Sequence, residues 1–399
     1  MDGYRNPPLS HPHLKRLFFR KREFPVACYM PTSEQLDGFD DNDSDDNEET
    51  QDLEFDALSR ALARSVFESV LGRLRKEVIG HDDVLQHLAL VAAQHTAVKS
   101  GGRVLLVGPS GCGKTTLARA LAASLSLPSV LIEAPEFSET NWEGTNLADV
   151  MGQLYSDSVD MLGASANRGM AAMDLMQRSV VIIDEIDKIT SAGWGSPSSR
   201  EYRRGKQQSL LPLLGTGTLN FRISKQGPTV PFKAEGMLII CCGVFDGLPD
   251  RNIASRDLVA LGLMPELVDR MGSIHRLRPL ATSQLTTIIS AGMTAVSDTV
   301  SAFGYTLEVL PETLIYAAQL VQQGIGGTRA ATSWLRVAAE SRCLAMLDQH
   351  TAEGSSCIIT PDDLVGARVA RRGRGRRPPD PPPDDDDDDT KEPWESRHR

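Results

Sequence analysis

The stretch Arg103-Val-Leu-Leu-Val-Gly-Pro-Ser-Gly-Cys-Gly-Lys-Thr-Thr-Leu117 decides the fold class of this chain. Its first part, Val104–Val107, is a short apolar run with β-branched ends, which is typical of a buried parallel strand. A glycine-rich segment, Gly108–Thr115, follows at once and matches the phosphate-loop pattern; apolar residues at helical spacing come next. Strand, glycine-rich turn and helix in this order are the context in which the pattern binds phosphate. The stretch therefore predicts an α/β fold with a doubly wound parallel sheet.

The glycine-rich segment also predicts the chemistry of the site. Glycines let backbone N–H groups curl round a phosphate, and the free N–H groups at the helix start add about half a positive charge. Lys114 would reach the β- and γ-phosphates of a nucleotide, and the Thr115 hydroxyl would ligate Mg²⁺. ATP and Mg²⁺ are therefore the predicted cofactors. The candidate binding residues in this loop are Gly108, Pro109, Ser110, Gly111, Cys112, Gly113, Lys114, Thr115 and Thr116.

A second motif, Ser179-Val-Val-Ile-Ile-Asp-Glu-Ile-Asp-Lys188, has the pattern of another buried strand that ends in carboxylates. Asp184 at the end of this strand can hold Mg²⁺ through water, as a second metal-site residue beside Thr115. The adjacent Glu185 can polarise the attacking water. Together with the phosphate loop, the pair predicts ATP hydrolysis rather than nucleotide binding alone.

Length and composition set the limits of this interpretation. A chain of 399 residues with 41% hydrophobic content predicts two or three domains with a buried core. No apolar run approaches the ~20 residues that cross a bilayer, and no signal-peptide core follows Met1, so no membrane partner is expected. The six cysteines show no metal-ligand spacing. Free thiols are typical of a reducing compartment, which predicts a cytoplasmic protein.

Both ends of the chain have the composition of disordered segments. Residues 1–56 form a predicted arm that is basic at Lys15–Arg22 and then carries only acidic charges from residue 34 onward. The basic part could contact nucleic acid, serve as a targeting signal or docking peptide, or be a solvated arm. Residues 368–399 are rich in arginine, then proline, and include the run Asp384–Asp389. These arginines could contact nucleic acid or remain solvated.

Two folded domains are predicted between the tails. Residues 57–279 form the large ATPase domain, and residues 280–367 form a small, mainly helical domain. The small domain is predicted to contain three main helices, the first capped by Ser283, the second following Pro311 and the third starting near Gly327.

Several motifs resemble, in the same order, the ClpX-like branch of the Clp/HSP100 AAA+ unfoldases. The resemblance covers roughly residues 76–366. The motifs that carry it are Ile79-Gly80, the phosphate loop, Asn141-Trp-Glu-Gly144, Ile182-Ile-Asp-Glu-Ile-Asp-Lys188, Asp257-Leu-Val-Ala-Leu-Gly-Leu-Met-Pro-Glu-Leu-Val-Asp-Arg270 and Gly326-Gly-Thr-Arg-Ala-Ala331.

The resemblance implies roles for four residues outside the phosphate loop. Arg270 matches the family's arginine finger, which reaches the nucleotide of a neighbouring subunit, and Arg329 matches the arginine that senses ATP from the small domain. Ile79 matches the residue that packs against adenine. Trp142 falls where the family has a pore-loop tyrosine that grips protein substrate; without the resemblance it would be interpreted as a core residue. The family forms hexamers, so a homo-hexamer is implied.

The chain also departs from the family pattern. The family's zinc-binding N-terminal domain needs four cysteines, and only Cys28 precedes the ATPase motifs, so that domain is expected to be absent. The family's loop that docks on the ClpP peptidase is reduced to Leu248–Arg256 without its docking tripeptide, which argues against ClpP as a partner. The basic pore-entrance loop, at Leu219–Phe232, is short. Cys241 and Cys242 stand near the family's polar first sensor, and no residue is assigned to that role.

The resulting prediction is a ring-forming ATPase that pulls a polypeptide substrate through an axial pore. The alternative is an AAA+ motor or loader for nucleic acid, with the basic tails as contacts. The resemblance to a protein unfoldase and the lack of a basic stripe in the ATPase core argue against it. A non-catalytic, nucleotide-dependent scaffold is a third possibility, which is opposed by the intact set Lys114, Asp184, Glu185, Arg270 and Arg329.

Overall fold

The structure is a computed structural model that describes residues 46–98, 100–137, 146–163, 168–191, 196–215, 217–223 and 227–373. Five parallel strands form its central sheet, and two further strands pair as a separate antiparallel hairpin. In chain order these seven strands are β1 (Gly102–Val107), β2 (Ser129–Glu133), β3 (Val180–Asp184), β4 (Thr218–Arg222), β5 (Thr229–Lys233), β6 (Leu238–Gly243) and β7 (Ser273–Arg276).

The strand order in the central sheet is β2-β3-β6-β1-β7. All four neighbouring pairs are parallel, with Leu105 opposite Cys241 on one side and Ile274 on the other. Strand β1 is therefore interior to the sheet, and residues 104–107 are buried. This burial explains why the strand is a continuous apolar run rather than an alternating one. The predicted parallel α/β sheet is confirmed.

Helices cover both faces of the sheet. They are α1 (Asp46–Glu77), α2 (Asp82–Val98), α3 (Lys114–Leu125), α4 (Leu147–Leu162), α5 (Arg168–Met176), α6 (Pro197–Leu214), α7 (Ser255–Ala260) and α8 (Pro265–Val268). Successive residues of β1 point to opposite faces. Leu106 packs in one apolar cluster with α1, α2 and α3, whereas Leu105 packs in another with α4 and α6. The sheet therefore has a hydrophobic core on each side.

The segment predicted as a short pore-entrance loop contains an antiparallel hairpin of β4 and β5. Phe221 and Phe232 meet edge to face across the hairpin at 6.2 Å between ring centroids, and Tyr155 of α4 lies 6.0 Å from Phe221. Such aromatic pairs stabilise a two-stranded unit that would be marginal alone. Residues 224–226, which connect the two strands in the sequence, lie outside the described residues.

A third hydrophobic cluster is built from residues between Leu280 and Ala367. Its elements are α9 (Thr282–Ala291), α10 (Thr294–Ser301), β8 (Thr306–Val309), α11 (Pro311–Gln322), α12 (Thr328–Asp348), β9 (Ser356–Ile359) and α13 (Pro361–Gly373). The prediction that Ser283 caps α9 is wrong: Ala281 is the N-cap residue, and its N–H donates to Gln284 Oε1 at 2.9 Å. A glutamine three residues on therefore satisfies the donor at the helix start.

The helical structure begins earlier than the sequence indicates. Helix α1 begins at Asp46, inside the segment predicted as a disordered arm, and its sequence opens with acidic residues. Acidic residues are favourable at a helix N-terminus because they complement the positive end of the helix dipole. Residues 1–45 and 374–399, which include most of both predicted tails, lie outside the described part of the chain.

Among the described residues, no helix combines the length and the apolar composition that crossing a bilayer requires. Within the same residues, no cluster of three or more histidine, cysteine or acidic side chains is placed to bind a metal ion. The five described cysteines are buried and form no disulfide with one another.

Candidate functional site

The phosphate loop joins the carboxyl end of β1 to the start of α3. Gly111 and Gly113 adopt φ values of +80° and +98°, a left-handed region in which glycine is favoured because it lacks a Cβ. Gly113 is the N-cap of α3 and brings no side-chain acceptor. The first N–H groups of α3 are therefore available to an anion, as the sequence predicts.

Lys114 is buried within this loop. Its side-chain Nζ donates to the carbonyl oxygens of Gly108 at 2.7 Å and Pro109 at 2.9 Å, and the residue is only 8% exposed. Burial raises the pKa of the neighbouring Cys112 thiol, and the positive charge of Lys114 opposes that shift. The loop therefore holds the Lys114 ammonium beside the neutral Cys112 thiol. This ammonium can exchange its hydrogen bonds to carbonyl oxygens for hydrogen bonds to phosphate oxygens.

The two nucleotide motifs meet at Thr115 and Asp184. Thr115 Oγ1 donates to Asp184 Oδ2 at 2.6 Å, and the backbone N–H of Glu185 donates to Asp184 Oδ1 at 2.9 Å. A hydroxyl and a carboxylate side by side supply the hard oxygen atoms that Mg²⁺ prefers, so these residues fit such an ion. Glu185 is exposed and has φ +55°, a conformation that is uncommon outside glycine and recurs at active sites.

The end of β6 lies beside the acidic turn. Asp187 Oδ1 accepts a hydrogen bond of 3.0 Å from the backbone N–H of Val244. Cys241 and Cys242, near the expected first sensor, are fully buried in β6. Burial raises the pKa of Cys241 to about 12 and holds that of Cys242 well above its usual range. Both thiols are therefore neutral, and they pack in the apolar clusters on the two faces of the sheet.

The turn before α2 contacts both the phosphate loop and the small helical unit. Ile79 is half-buried here, and a Cβ on Gly80 would lie 2.7 Å from Gln284 Nε2 of α9. His81 Nε2 donates to the carbonyl oxygen of Cys112 at 3.0 Å. The sequence did not single out His81 as a site residue, and the hydrogen bond depends on a fold that brings residues 31 positions apart together.

Arg270 lies near the amino ends of the strands, whereas its own phosphate loop follows the carboxyl end of β1. It is exposed, and its Nη1 donates to the carbonyl oxygen of Leu211 at 2.9 Å. It also lines a cavity of about 340 Å³ with Gly101, Arg103, Leu214, Gly215 and Glu235. Gly101 and Arg103 mark the amino end of β1, whereas Gly108 follows its carboxyl end. Because β1 has six residues, its two ends lie about 20 Å apart.

Arg329 stands in the first turn of α12 and is exposed. It lines a cavity of about 380 Å³ whose other residues come from α9, from the residue that follows α9 and from α12: Ile288, Gly292, Thr328, Thr332, Ser333 and Arg336. Two residues before Arg329, Gly327 contacts the phosphate loop, since a Cβ on Gly111 would lie 3.6 Å from its Cα. The structure therefore brings the start of this helix, but not the cavity itself, against the loop.

The predicted pore-loop residue and a pair of exposed arginines on α6 remain to be located. Trp142 lies in the stretch 138–145, outside the described residues. Helix α6, in contrast, exposes Arg200 and Arg204, which lie one turn apart on the same face of the helix. No basic stripe was recognised in the core from the sequence, because these charges are interrupted by Glu201 and only a helix places them on one surface.

Comparisons with known proteins agree with this geometry. The sequence model of the ATPase family associated with various cellular activities (AAA) matches residues 104–257. The chain is 27% identical over 297 residues to the ATP-dependent Clp protease ATP-binding subunit ClpX of Porphyromonas gingivalis, covering 63% of this chain and 68% of that protein.

Two further relatives carry the same kind of name. ClpX 2 of Wolinella succinogenes is 29% identical over 245 residues, and ClpX of Bacteroides fragilis is 28% identical over 264 residues. Each alignment covers 54% of this chain, with 59% and 60% of the relative, respectively. Residues 104–257, which the AAA model matches, include the phosphate loop and the acidic pair that the fold joins in one site, so the chain contains an AAA-type ATPase domain and is similar to ClpX proteins.

Proposed function

We propose that this chain unfolds or remodels proteins at the expense of ATP, as one subunit of a ring that pulls polypeptide through an axial pore. The observation that carries the proposal is the 2.6 Å hydrogen bond between Thr115 Oγ1 and Asp184 Oδ2. It unites the two motifs of an ATP-hydrolysing site in a chain similar to ClpX over most of its length. Nucleotide binding alone would not require a carboxylate pair at this position.

Within one subunit, each polar group has a separate task. Lys114 exchanges the carbonyl oxygens of Gly108 and Pro109 for phosphate oxygens, which bind an ammonium more strongly because they carry charge. Thr115 and Asp184 are the residues that would hold Mg²⁺, which neutralises phosphate charge when it is bound. Glu185 orients the attacking water and accepts its proton.

A second subunit completes the site. Arg270 lies near the amino ends of the strands, away from its own phosphate loop, and this position supports the proposal that it serves another copy of the chain. A guanidinium at the γ-phosphate stabilises the charge that develops during hydrolysis. Closed repetition of this head-to-tail contact gives a ring, and the resemblance to ClpX favours six subunits.

The small domain, residues 280–367 in this proposal, senses the nucleotide. Arg329 follows closely on Gly327, which contacts the phosphate loop of the large domain, residues 57–279. A γ-phosphate that attracts Arg329 would draw α12 toward the loop, and its loss would release it. Turnover therefore changes the angle between the two domains, and the pore-loop residue Trp142 moves with the large domain to drag polypeptide. The five cysteines in the described part of the chain are buried and unpaired, which supports a reducing, cytoplasmic location.

The proposal is tested by the ATPase rate of the full chain alone, with a permanently unfolded protein and with single-stranded DNA. We expect the unfolded protein to raise the rate, and Trp142→Ala to abolish that increase while Trp142→Tyr retains it. Stimulation by DNA together with no response to unfolded protein would overturn the unfoldase proposal.

The second candidate function is a motor or loader that acts on nucleic acid. The exposed Arg200 and Arg204 of α6 favour it, because two basic side chains on one face of a helix are suited to contact phosphates. The DNA arm of the same assay tests it. A DNA-stimulated rate that Arg200→Ala and Arg204→Ala reduce, at low but not at high salt, would support this candidate.

A further inference from the structure

A buried glutamine in α6 connects the acidic turn of the site to the segment that carries Arg270. Gln207 is fully buried, and both polar atoms of its side-chain amide form hydrogen bonds. Nε2 donates to the carbonyl oxygens of Ile189 at 2.7 Å and Gly262 at 3.0 Å. Oε1 accepts a hydrogen bond of 2.7 Å from the backbone N–H of Met264.

The three partners of Gln207 belong to two functional segments. Ile189 ends the 3₁₀ turn Ile186–Ile189, which follows directly on Asp184 and Glu185. Gly262 and Met264 lead into α8, and Arg270 comes two residues after that helix ends. The amide therefore lies between the catalytic carboxylates of a subunit and the arginine that, under the proposed function, the same subunit offers to its neighbour.

Two other contacts strengthen this junction. Ser191 donates to the carbonyl oxygen of Gly262 through both its N–H and its hydroxyl, each at 2.9 Å. One helical turn beyond Gln207, the carbonyl oxygen of Leu211 accepts the hydrogen bond from Arg270. Helix α6 thus holds the segment of Arg270 at its start, through Gln207, and the guanidinium at its end, through Leu211.

The side-chain amide of Gln207 lies in an apolar environment, where each of its hydrogen bonds would be costly to lose. Ile189, Leu210 and Met264 belong to the apolar cluster on this face of the sheet. In an apolar environment, a carbonyl or N–H group that loses its partner cannot turn to water, so the segments on both sides would have to shift. A shift of about 1 Å at a catalytic group is enough to lower a rate by roughly a hundredfold.

We propose that Gln207 is a positioning residue for Arg270: it fixes the segment of residues 262–270 against the acidic turn, so that the guanidinium meets the nucleotide of the next subunit. The proposal rests on the ring of the proposed function. It predicts an effect of Gln207 on hydrolysis in the neighbouring subunit, which a role confined to its own site would not produce.

The experiment uses pairs of full-length copies joined by a flexible linker, so that two kinds of copy alternate in each ring. The site copy carries Arg270→Ala and supplies the only working ATP site. The finger copy carries Glu185→Gln and supplies the only working Arg270. Gln207→Glu, which replaces the donating NH₂ by an oxygen, is then introduced into one copy at a time.

We expect Gln207→Glu in the finger copy to lower kcat by about tenfold or more while the KM for ATP stays within about twofold. The matched control is Gln208→Glu, at the exposed neighbouring position, which should leave the rate unchanged. A rate that falls only when Gln207→Glu is in the site copy would overturn the proposal. If Gln207→Glu prevents ring assembly, Gln207→Met is introduced into each copy in turn instead. The proposal again requires kcat to fall when the substitution is in the finger copy.

A final arm separates this proposal from the one on which it rests. Arg270→Ala in the finger copy should abolish hydrolysis, since no working finger then remains. If that pair hydrolyses ATP at the parent rate, the shared site and the role of Gln207 are both wrong. If it is inactive and Gln207→Glu in the finger copy has no effect, the ring stands and only the role of Gln207 is wrong.

Discussion

Gly111 of the phosphate loop and Gly327, the residue that precedes α12, are in contact: a Cβ on Gly111 would lie 3.6 Å from the Cα of Gly327. The contact joins the loop that would hold the phosphates to the helix whose second residue is Arg329. Neither residue has a side chain, so the two backbones approach closely. This approach offers a route by which a bound nucleotide can influence the small helical unit.

The first prediction concerns this contact. Gly327→Leu should weaken ATP binding by about tenfold, equivalent to ~1.4 kcal/mol, because a branched side chain would push α12 away from the loop. Gly327→Ala is the control, since a single Cβ would lie 4.0 Å from the Cα of Gly111, an ordinary contact distance. Calorimetric titration with ATP measures both. Equal affinities for the two variants would show that the contact does not matter.

The second prediction separates binding from hydrolysis. Lys114→Ala should abolish ATP binding, because it removes the buried cation of the loop. Glu185→Gln should bind ATP normally and lose hydrolysis by a factor on the order of 10²–10⁴, the range expected when a general base is lost. Equilibrium binding and steady-state hydrolysis, measured on the same samples, check the two halves. A Glu185→Gln protein that turns over at the wild-type rate would contradict the assigned role.

The third prediction tests the position of Arg270 without changing Arg270 itself. A Cβ on Gly215 would lie 2.3 Å from Nη1 of Arg270 and 2.7 Å from its Cζ. Gly215 has φ −110°, so alanine fits the backbone there and the flexible guanidinium is the group that must move. Gly215→Ala should therefore keep ATP affinity and thermal stability but lower kcat by about tenfold. A large loss of stability with normal kcat in the folded fraction would argue against this reasoning.

The fourth prediction is a pH dependence of stability that arises from His95. Burial lowers the pKa of this histidine, whose two ring nitrogens lie 3.1 Å and 2.9 Å from the carbonyl oxygens of Ser100 and Arg178. The unfolded chain therefore binds more protons than the folded one once the pH falls below about 6.5, the ordinary value for histidine. The free energy of unfolding should decrease as the pH falls below that value.

Urea unfolding of the wild type, His95→Gln and the exposed-site control His350→Gln, at pH 7.5 and 5.5, measures this dependence. We expect the difference between the two pH values to be smaller in His95→Gln and unchanged in His350→Gln. A wild-type difference that persists fully in His95→Gln would assign the dependence to other groups.

How far the sequence predicts the site depends on whether each feature is local. The strand β1, the phosphate loop and α3 form one continuous stretch, and β3 with Asp184 forms another, so pattern and spacing predict both. The burial of Gln207 and the hydrogen bond from His81 to Cys112 depend on segments that meet only in the folded chain. Gln207 does carry a weak signal, since it lies three residues before Leu210 on the apolar stripe of α6.

The placement of Arg270 shows the same limit. The resemblance to ClpX implied a role in a neighbouring subunit. Only the folded sheet shows that Arg270 lies near the amino ends of the strands, whereas Lys114 lies at their carboxyl ends. The early start of α1 was missed for a different reason. A run of acidic residues is typical of disordered chains and also favourable at a helix N-terminus, and composition cannot separate the two.

The last prediction is that this ATPase does not dock on the ClpP peptidase through the segment Leu248–Arg256. A docking element must present an apolar side chain to its partner, and repeated contacts round a ring then add avidity. In this segment, the two large apolar residues, Leu248 and Ile253, pack against the protein's own core instead. Arg251 forms a two-point ion pair with Asp257, at 2.8 Å and 2.7 Å, which holds the segment against the start of α7.

Co-sedimentation of the Glu185→Gln protein, saturated with ATP, with ClpP from the same organism measures the association directly. We expect no ClpP in the pellet with the ATPase, and Leu248→Ser should change nothing, since that side chain faces the core. Tight association would contradict the prediction. In that case, loss of binding when residues 1–30 are deleted would identify Leu17-Phe18-Phe19 of the N-terminal arm as the substitute docking element, because those residues form its only run of three large apolar side chains. Retention of binding in that deletion would instead place the contact elsewhere on the folded domains.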